Sequence, residues 1–198
     1  MKMEEISMNV KQSTRKLVTL GMLGALSIVL VFFIHFPLLP AAPWMEYDPA
    51  DIPILIGTFL YGPWAGLALT VVVSVIQGLT VSAQSGIIGI VMHLLATGAF
   101  VLVAGGIYQR HKTIGWAVVS LICGVVAMTI VMVGCNLVFT PIFLGQAMGD
   151  VVAMLLPVII PFNLLKAGIN GIVTFVVYKP IGNILRIEPQ VKGVQNNA

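Results

Sequence analysis

The stretch that decides the fold is IPILIGTFLYGPWAGLALTVVVSVIQGLTV, residues 52–81. It is apolar almost throughout, yet Gly62–Pro63 sits in its middle. Read as one kinked helix, it is a single span. Read as a turn, it is a short helix, Ile52–Tyr61, followed by a longer one, Pro63–Val81. Ten residues of helix reach only about 15 Å, about half of a hydrocarbon core. Length therefore favours one span, and charge has to arbitrate.

Four other apolar segments flank this one: Leu17–Phe36, Gly86–Tyr108, Ile114–Phe139 and Val151–Tyr178. Nine of the ten basic residues lie outside the apolar segments: Lys2, Lys11, Arg15, Lys16, Arg110, Lys112, Lys179, Arg186 and Lys192. With a turn at Gly62–Pro63 there are six spans, and all nine fall on the side that holds both termini. With five spans, Arg110, Lys112 and the basic tail move to the opposite side from the N-terminus. Cytoplasmic loops carry the excess of Lys and Arg, so the six-span reading is preferred. It puts Glu46, Asp48, Asp51 and Asp150 outside. The expected organisation is a cytoplasmic N-terminal segment (1–16), a six-helix all-α membrane domain (17–180) and a cytoplasmic tail (181–198). The second helix is short, and the sixth is long and kinked at Pro157 and Pro161.

Composition agrees. The chain has 198 residues, 59% of them hydrophobic and 9% charged, with a mean hydropathy of +1.05. A soluble domain carries about 25% charged residues, so this chain cannot cover a water-facing surface. The net charge of +3 is spread over short loops and tails and does not mark nucleic-acid binding. The apolar run from Leu17 is too long for a signal-peptide core, so no cleaved leader is expected. Cys123 and Cys135 lie twelve residues apart in one helical segment, point in different directions and read as small core residues. No internal repeat is visible.

The loop FPLLPAAPWMEYDPADIP, residues 36–53, is the most unusual part of the chain, with five prolines, three acidic residues, Trp44 and Tyr47. Proline lowers the ordering entropy of such a loop. It reads as a rigid lid over an outward-facing site, with Asp51 as N-cap of the second helix. Lys166 is the one ionised residue well inside an apolar segment. Such a residue faces protein or a water-filled cavity. Asn163 and Asn170 share its stripe at helical spacing. Asn136 and Gln77 sit near the outer ends of their helices, so Lys166, Asn163, Asn136 and Gln77 are expected to converge in the outer half of the bundle. No carboxylate is expected mid-membrane, which disfavours an ion-coupled pump. His93 reads as an intramembrane hydrogen-bonding residue, and the ten methionines as packing. There is no phosphate-binding loop, nucleophile elbow or Cys/His metal spacing. Neither ATP hydrolysis nor a resident metal or cofactor is expected. A stand-alone channel for a small neutral solute and a membrane enzyme remain as other classes, the latter weakened by the missing nucleophile–base pair.

On the first helix, Gly21-Met22-Leu23-Gly24-Ala25 places Gly21 and Ala25 one turn apart, a small-residue pair that allows close helix approach. With this pair, the 36–53 loop, LIGTFLYGPWAGL and PFNLLKAGIN (161–170), the sequence resembles the riboflavin-specific (RibU type) S components of energy-coupling factor (ECF) transporters. The resemblance implies a six-helix subunit that captures riboflavin from outside, FMN sharing its ring and tail. It implies no ATPase in the chain itself, but association with a transmembrane T protein and two cytoplasmic ATPases, with Gly21 and Ala25 at the T-protein contact. It also implies a non-enzymatic role, with the flavin as transported ligand. The residues expected around that ligand are Lys166, Asn163, Asn136 and Gln77, the lid residues Trp44, Glu46, Tyr47 and Asp48, and Phe139 and Phe162 as aromatic walls.

Overall fold

A computed structural model describes residues 2–184, with side chains described from Val10 onward except Lys11. The tail beyond 184, with Arg186 and Lys192, lies outside the described residues. Among the described residues six helices follow one another: α1 (Lys2–Phe33), α2 (Asp51–Tyr61), α3 (Pro63–Leu79), α4 (Gly86–Arg110), α5 (Ile114–Leu144) and α6 (Met148–Ile184). A single 3₁₀ turn, Ala83–Ser85, precedes α4. Among the described residues, four stretches are long and apolar enough to cross a membrane: Gln12–Phe33, Ala83–Arg110, Ile114–Leu144 and Met148–Ile184. Leu17, Ile87, Ile142, Leu156 and Ile172 are all more than two-thirds exposed. A bundle with such an outer surface is dressed for lipid.

Gly62–Pro63 is a true turn. Gly62 has φ 95° and ψ 170°, a region essentially closed to residues with a Cβ. Pro63 then occupies the first turn of α3, where its missing N–H costs nothing. The two helices run antiparallel and very close: a Cβ on Gly66 would collide with the Thr58 side chain. This hairpin explains how a helix half the length of a span can exist here. Every residue of α2 from Asp51 to Phe59 is buried, against α1, α3, α4 and α6. It is a central strut rather than a lipid-facing span, which is why it is apolar on all sides.

Several helix boundaries differ from the sequence reading: α5 runs on past Phe139 to Leu144 and α6 past Tyr178 to Ile184, and both ends of α1 move. α1 begins at Lys2 rather than near Leu17, because helical structure continues through the polar N-terminal segment. α1 also stops at Phe33, and Phe36–Pro37 instead pairs with Glu46–Tyr47 as a two-residue antiparallel ladder. The interruption in α6 is a π-helical turn at Leu155–Ile159. Pro157 and Pro161 lack the N–H groups that regular bonding to Ala153 and Pro157 requires, and a π turn is one way to absorb such a gap.

At the end of the bundle away from the lid, the Phe59 ring stacks on Tyr108 at 4.4 Å and meets Tyr178 edge-on at 5.4 Å. Lys16 lies over the Tyr61 ring at 5.7 Å. Cys123 and Cys135 are both free, the second buried.

Candidate ligand-binding site

The 34–50 segment folds back on itself and docks on α6. Phe36 pairs with Tyr47 in the ladder, and backbone turns Ala42→Leu39 and Met45→Ala42 shape the tip. Ala42 and Met45 are buried with Val151, Val158, Ile159 and Phe162. An apolar plug of its own, with four prolines, makes this loop a formed lid rather than a loose connector.

Polar bonds fix the lid's second half. Asp48 accepts the Ala50 N–H at 3.1 Å through one oxygen, and the Lys166 ammonium at 2.7 Å through the other. Lys166 Nζ also lies 3.4 Å from the Glu46 carbonyl. One turn further, Asn170 donates to the Asp48 carbonyl (3.1 Å) and to Asp51 Oδ2 (3.2 Å), and accepts from the Tyr47 hydroxyl (3.0 Å). Ser27 on α1 donates to the Ala50 carbonyl at 2.9 Å. Burial, followed by the neighbouring Asp48 carboxylate, pushes the Tyr47 phenol above its ordinary pKa.

Asp51 corrects two expectations. Its side chain caps nothing: Ala50 is the N-cap residue and Asp51 the first residue of α2. The carboxylate is fully buried and accepts from Thr97 (2.7 Å), Asn170 and His93 (3.2 Å). A carboxylate therefore does lie inside the bundle. It sits at the positive end of a helix with three donors around it, which is what burying a charge requires.

Beneath the lid lies a half-open cleft with about 1130 Å³ of empty space, its open mouth included. Eight of the ten sequence-predicted ligand residues line it: Trp44, Glu46, Asp48, Gln77, Asn136, Phe162, Asn163 and Lys166. The structure keeps the other two off the wall. Tyr47 lies between Glu46 and Asp48 on an extended segment, where successive side chains alternate. It therefore points away, against Phe36. Phe139 falls off the α5 stripe formed by Met128, Met132, Asn136 and Thr140, all four of which face the cleft at i, i+4 spacing. Phe143 is the aromatic residue of α5 that does.

The polar groups at the wall differ in availability. The Asn136 amide donates to Met132 O, and its oxygen accepts from Thr140. Asn163 donates to Ile159 O at 2.8 Å; no bond to its Oδ1 occurs among the described residues. Gln77 Oε1 is buried with no partner, an acceptor that a ligand donor would satisfy. The apolar walls are Trp44, Phe162, Met92, Met128 and Met132, so these methionines do more than fill the core. Ser74, His93 and Met92 were missed as cavity residues; the i, i+4 stripe 128–132–136–140 is the sequence signal that could have located the α5 wall. Among the described residues, no cluster of His, Cys, Asp or Glu suits a metal ion.

Far from the cleft, Gly21 and Ala25 are exposed on the outer face of α1, and nothing lies within 4 Å of a Cβ built on Gly21. Their small side chains do not serve packing within the bundle. Gly24, by contrast, is buried, and a Cβ built on it would stand 3.4 Å from the Leu69 side chain.

Comparison with known proteins gives a consistent picture. The family described as "ECF transporter, substrate-specific component" matches residues 15–178. The chain is 30% identical to the riboflavin transporter RibU of Staphylococcus aureus (strain TCH60), over 88% of this chain and 94% of that one. It is 29% identical to the riboflavin transporter FmnP of Bacillus subtilis (strain 168), over 90% and 94% respectively. A solved structure described as "Structure and mechanism of the S component of a bacterial ECF transporter" superposes with a TM-score of 0.71 at 29% identity, covering 88% of this chain and 99% of that one.

Proposed function

The chain belongs to the family of ECF transporter substrate-specific components, and from that premise we propose that it captures riboflavin outside the cell and hands it to an ATP-driven coupling module. It is a multi-pass protein of the cell membrane, and its family consists of transporter subunits rather than enzymes. The observation that carries the ligand is the cleft itself. Its walls are largely apolar and sulfur-rich, and among its polar groups are the amides of Gln77, Asn136 and Asn163, the hydroxyls of Ser74, Ser82, Ser85 and Thr140, and the partly used ammonium of Lys166. Pockets of this kind hold small molecules by their flat faces and orient them by their edges. Riboflavin offers a three-ring plane, an imide edge that both donates and accepts, and a hydroxylated tail. Two relatives named as riboflavin transporters, matched over most of their lengths, support the same choice. FMN shares the ring and tail.

The side chains divide the work. Trp44, Phe162 and the three methionines enclose the ring. Lys166 and the amides of Gln77 and Asn163 address its polar atoms. The lid closes over the mouth, anchored through Asp48 and Asn170. For orientation, Arg15, Lys16, Arg110, Lys112 and Lys179 all belong to the end of the bundle opposite the lid. The positive-inside rule then puts the termini in the cytoplasm and the lid outside. In the coupling step, the exposed Gly21–Ala25 face of α1 offers a close-approach surface to a transmembrane partner, the T protein, which two cytoplasmic ATPases would drive.

The test is direct. The purified chain should carry flavin absorption bands or, once stripped, quench added riboflavin fluorescence at one site per chain. Absence of saturable riboflavin binding by well-folded protein would overturn the reading.

A further inference from the structure

Of the two histidines on the cleft wall, both left unused by the ligand-binding reading, His35 meets the Val31 carbonyl four residues before it, whereas His93 reaches other elements. His93 on α4 has 14% of its side chain exposed, and both of its ring nitrogens are engaged. Nδ1 lies 3.2 Å from Ser74 Oγ on α3, and Nε2 lies 3.2 Å from Asp51 Oδ1. An ionised carboxylate can only accept, so Nε2 carries the hydrogen. In the neutral ring Nδ1 then accepts from the Ser74 hydroxyl. No polar atom of the ring remains for a ligand, although the ring borders the cleft.

The ring's partner matters more than its position. Asp51 is 0% exposed, and its side-chain donors are Thr97, His93 and Asn170. Asn170 is also the group that holds the Asp48 carbonyl and the Tyr47 hydroxyl, while Asp48 holds Lys166. Removing His93 leaves a buried carboxylate short of one donor, which Thr97 and Asn170 can supply only by moving. Movement of Asn170 releases the lid.

We propose that His93 is a positioning residue for ligand capture: acting through Asp51 and Asn170, it keeps lid residues 46–48, and with them the Lys166 ammonium, in place for the ligand. The choice of ligand rests on the riboflavin reading; the lid mechanics do not.

The test uses the full chain in detergent. His93→Leu should weaken riboflavin binding about tenfold or more. His93→Gln, whose amide can donate to Asp51 and accept from Ser74, should stay within about threefold of the parent. In an Asp51→Asn background, His93→Leu should add less than about threefold, because residues acting along one route are not additive. Fully additive losses, or a Gln variant as weak as the Leu variant, would overturn the proposal. A second measurement needs no ligand. With Cys123 and Cys135 replaced by Ala and Met45→Cys on the lid, thiol labelling should speed up several-fold with His93→Leu and return to the parent rate with His93→Gln. A labelling rate indifferent to His93 would also refute it. If His93→Leu does not fold, His93→Ser takes its place in both measurements. Should the parent chain fail to bind riboflavin, the ligand reading falls, and the labelling rates alone decide the role of His93.

Discussion

Replacing Lys166 by Met separates what the ammonium does for the lid from what it does for the ligand. An ammonium has three donors. One is spent on Asp48 at 2.7 Å and a second lies 3.4 Å from the Glu46 carbonyl, leaving the third for the cleft. Loss of a hydrogen bond between a charged group and a ligand removes about 1.5–3 kcal/mol, and a water filling the gap returns part of it. The expected loss in riboflavin binding is at least about 1 kcal/mol, about fivefold in Kd. The substitution also strands Asp48, whose side chain is only 7% exposed. Breaking a buried pair costs about 3–5 kcal/mol; Asp48 borders a half-open cleft and keeps the Ala50 N–H, so about 2–3 kcal/mol of lost stability is the expectation. Lys166→Met with Asp48→Asn should regain most of that stability without regaining affinity. Asn163→Leu, which removes an amide from the same wall, should cost at least about 1 kcal/mol in binding by the same reasoning. Titration calorimetry or flavin fluorescence quenching measures the affinities, and thermal unfolding in detergent measures the stabilities. Unchanged affinity in both Lys166→Met and Asn163→Leu would refute the site. If the double variant bound like the parent, Lys166 would serve the lid alone.

Ala25→Trp should abolish transport by the assembled complex while leaving riboflavin affinity within about twofold, since Ala25 lies on the outer face of α1 and substitutions away from a site are close to neutral; normal copurification with the coupling module and normal uptake would count against that face as the contact. Single cysteines at 41, an exposed position of the lid, and at 111 and 195 in a cysteine-free background should react with an impermeant reagent on intact cells only at 41, and labelling at 111 or 195 would reverse the orientation. Gly62→Ala should destabilise the bundle by about 1–3 kcal/mol, the range for a Cβ forced into a glycine-only conformation, and here the Gln109 side chain already occupies the space. An unchanged unfolding temperature would show that α2 and α3 can turn without glycine.

The bundle was legible because two independent signals agree. Hydropathy marks where apolar segments lie, and the distribution of Lys and Arg decides whether Gly62–Pro63 turns the chain. The central position of α2 was less accessible. Ten apolar residues at Ile52–Tyr61 show that the helix is short, but not that a second helix packs so closely that Gly66 meets Thr58. The N-terminal boundary was missed for a different reason. Hydrophobic periodicity reports where a helix enters an apolar medium, whereas α1 is already helical through polar residues that leave no such mark.

The site divides along the same line. Lys166 and Asn163 announce themselves because a charge and an amide are costly in an apolar segment. Their spacing then predicts a shared face. The methionines of the cleft carry no such mark, since Met is ordinary in any core. Their function shows only when Met128, Met132, Asn136 and Thr140 are taken as one stripe. Asp51 is the most instructive case. An acidic residue just before Ile52–Pro53 fits a helix cap and fits equally a buried first-turn carboxylate, because both favour the N-terminus of a helix. What separates them is the partners, and Thr97, His93 and Asn170 lie 46, 42 and 119 residues away in sequence. The two readings also make opposite demands on mutation. A cap is replaceable by Ser or Asn at small cost, whereas a carboxylate holding three donors from two other helices is not. The lid of this protein is therefore fastened by a residue whose local sequence describes only its neighbour helix.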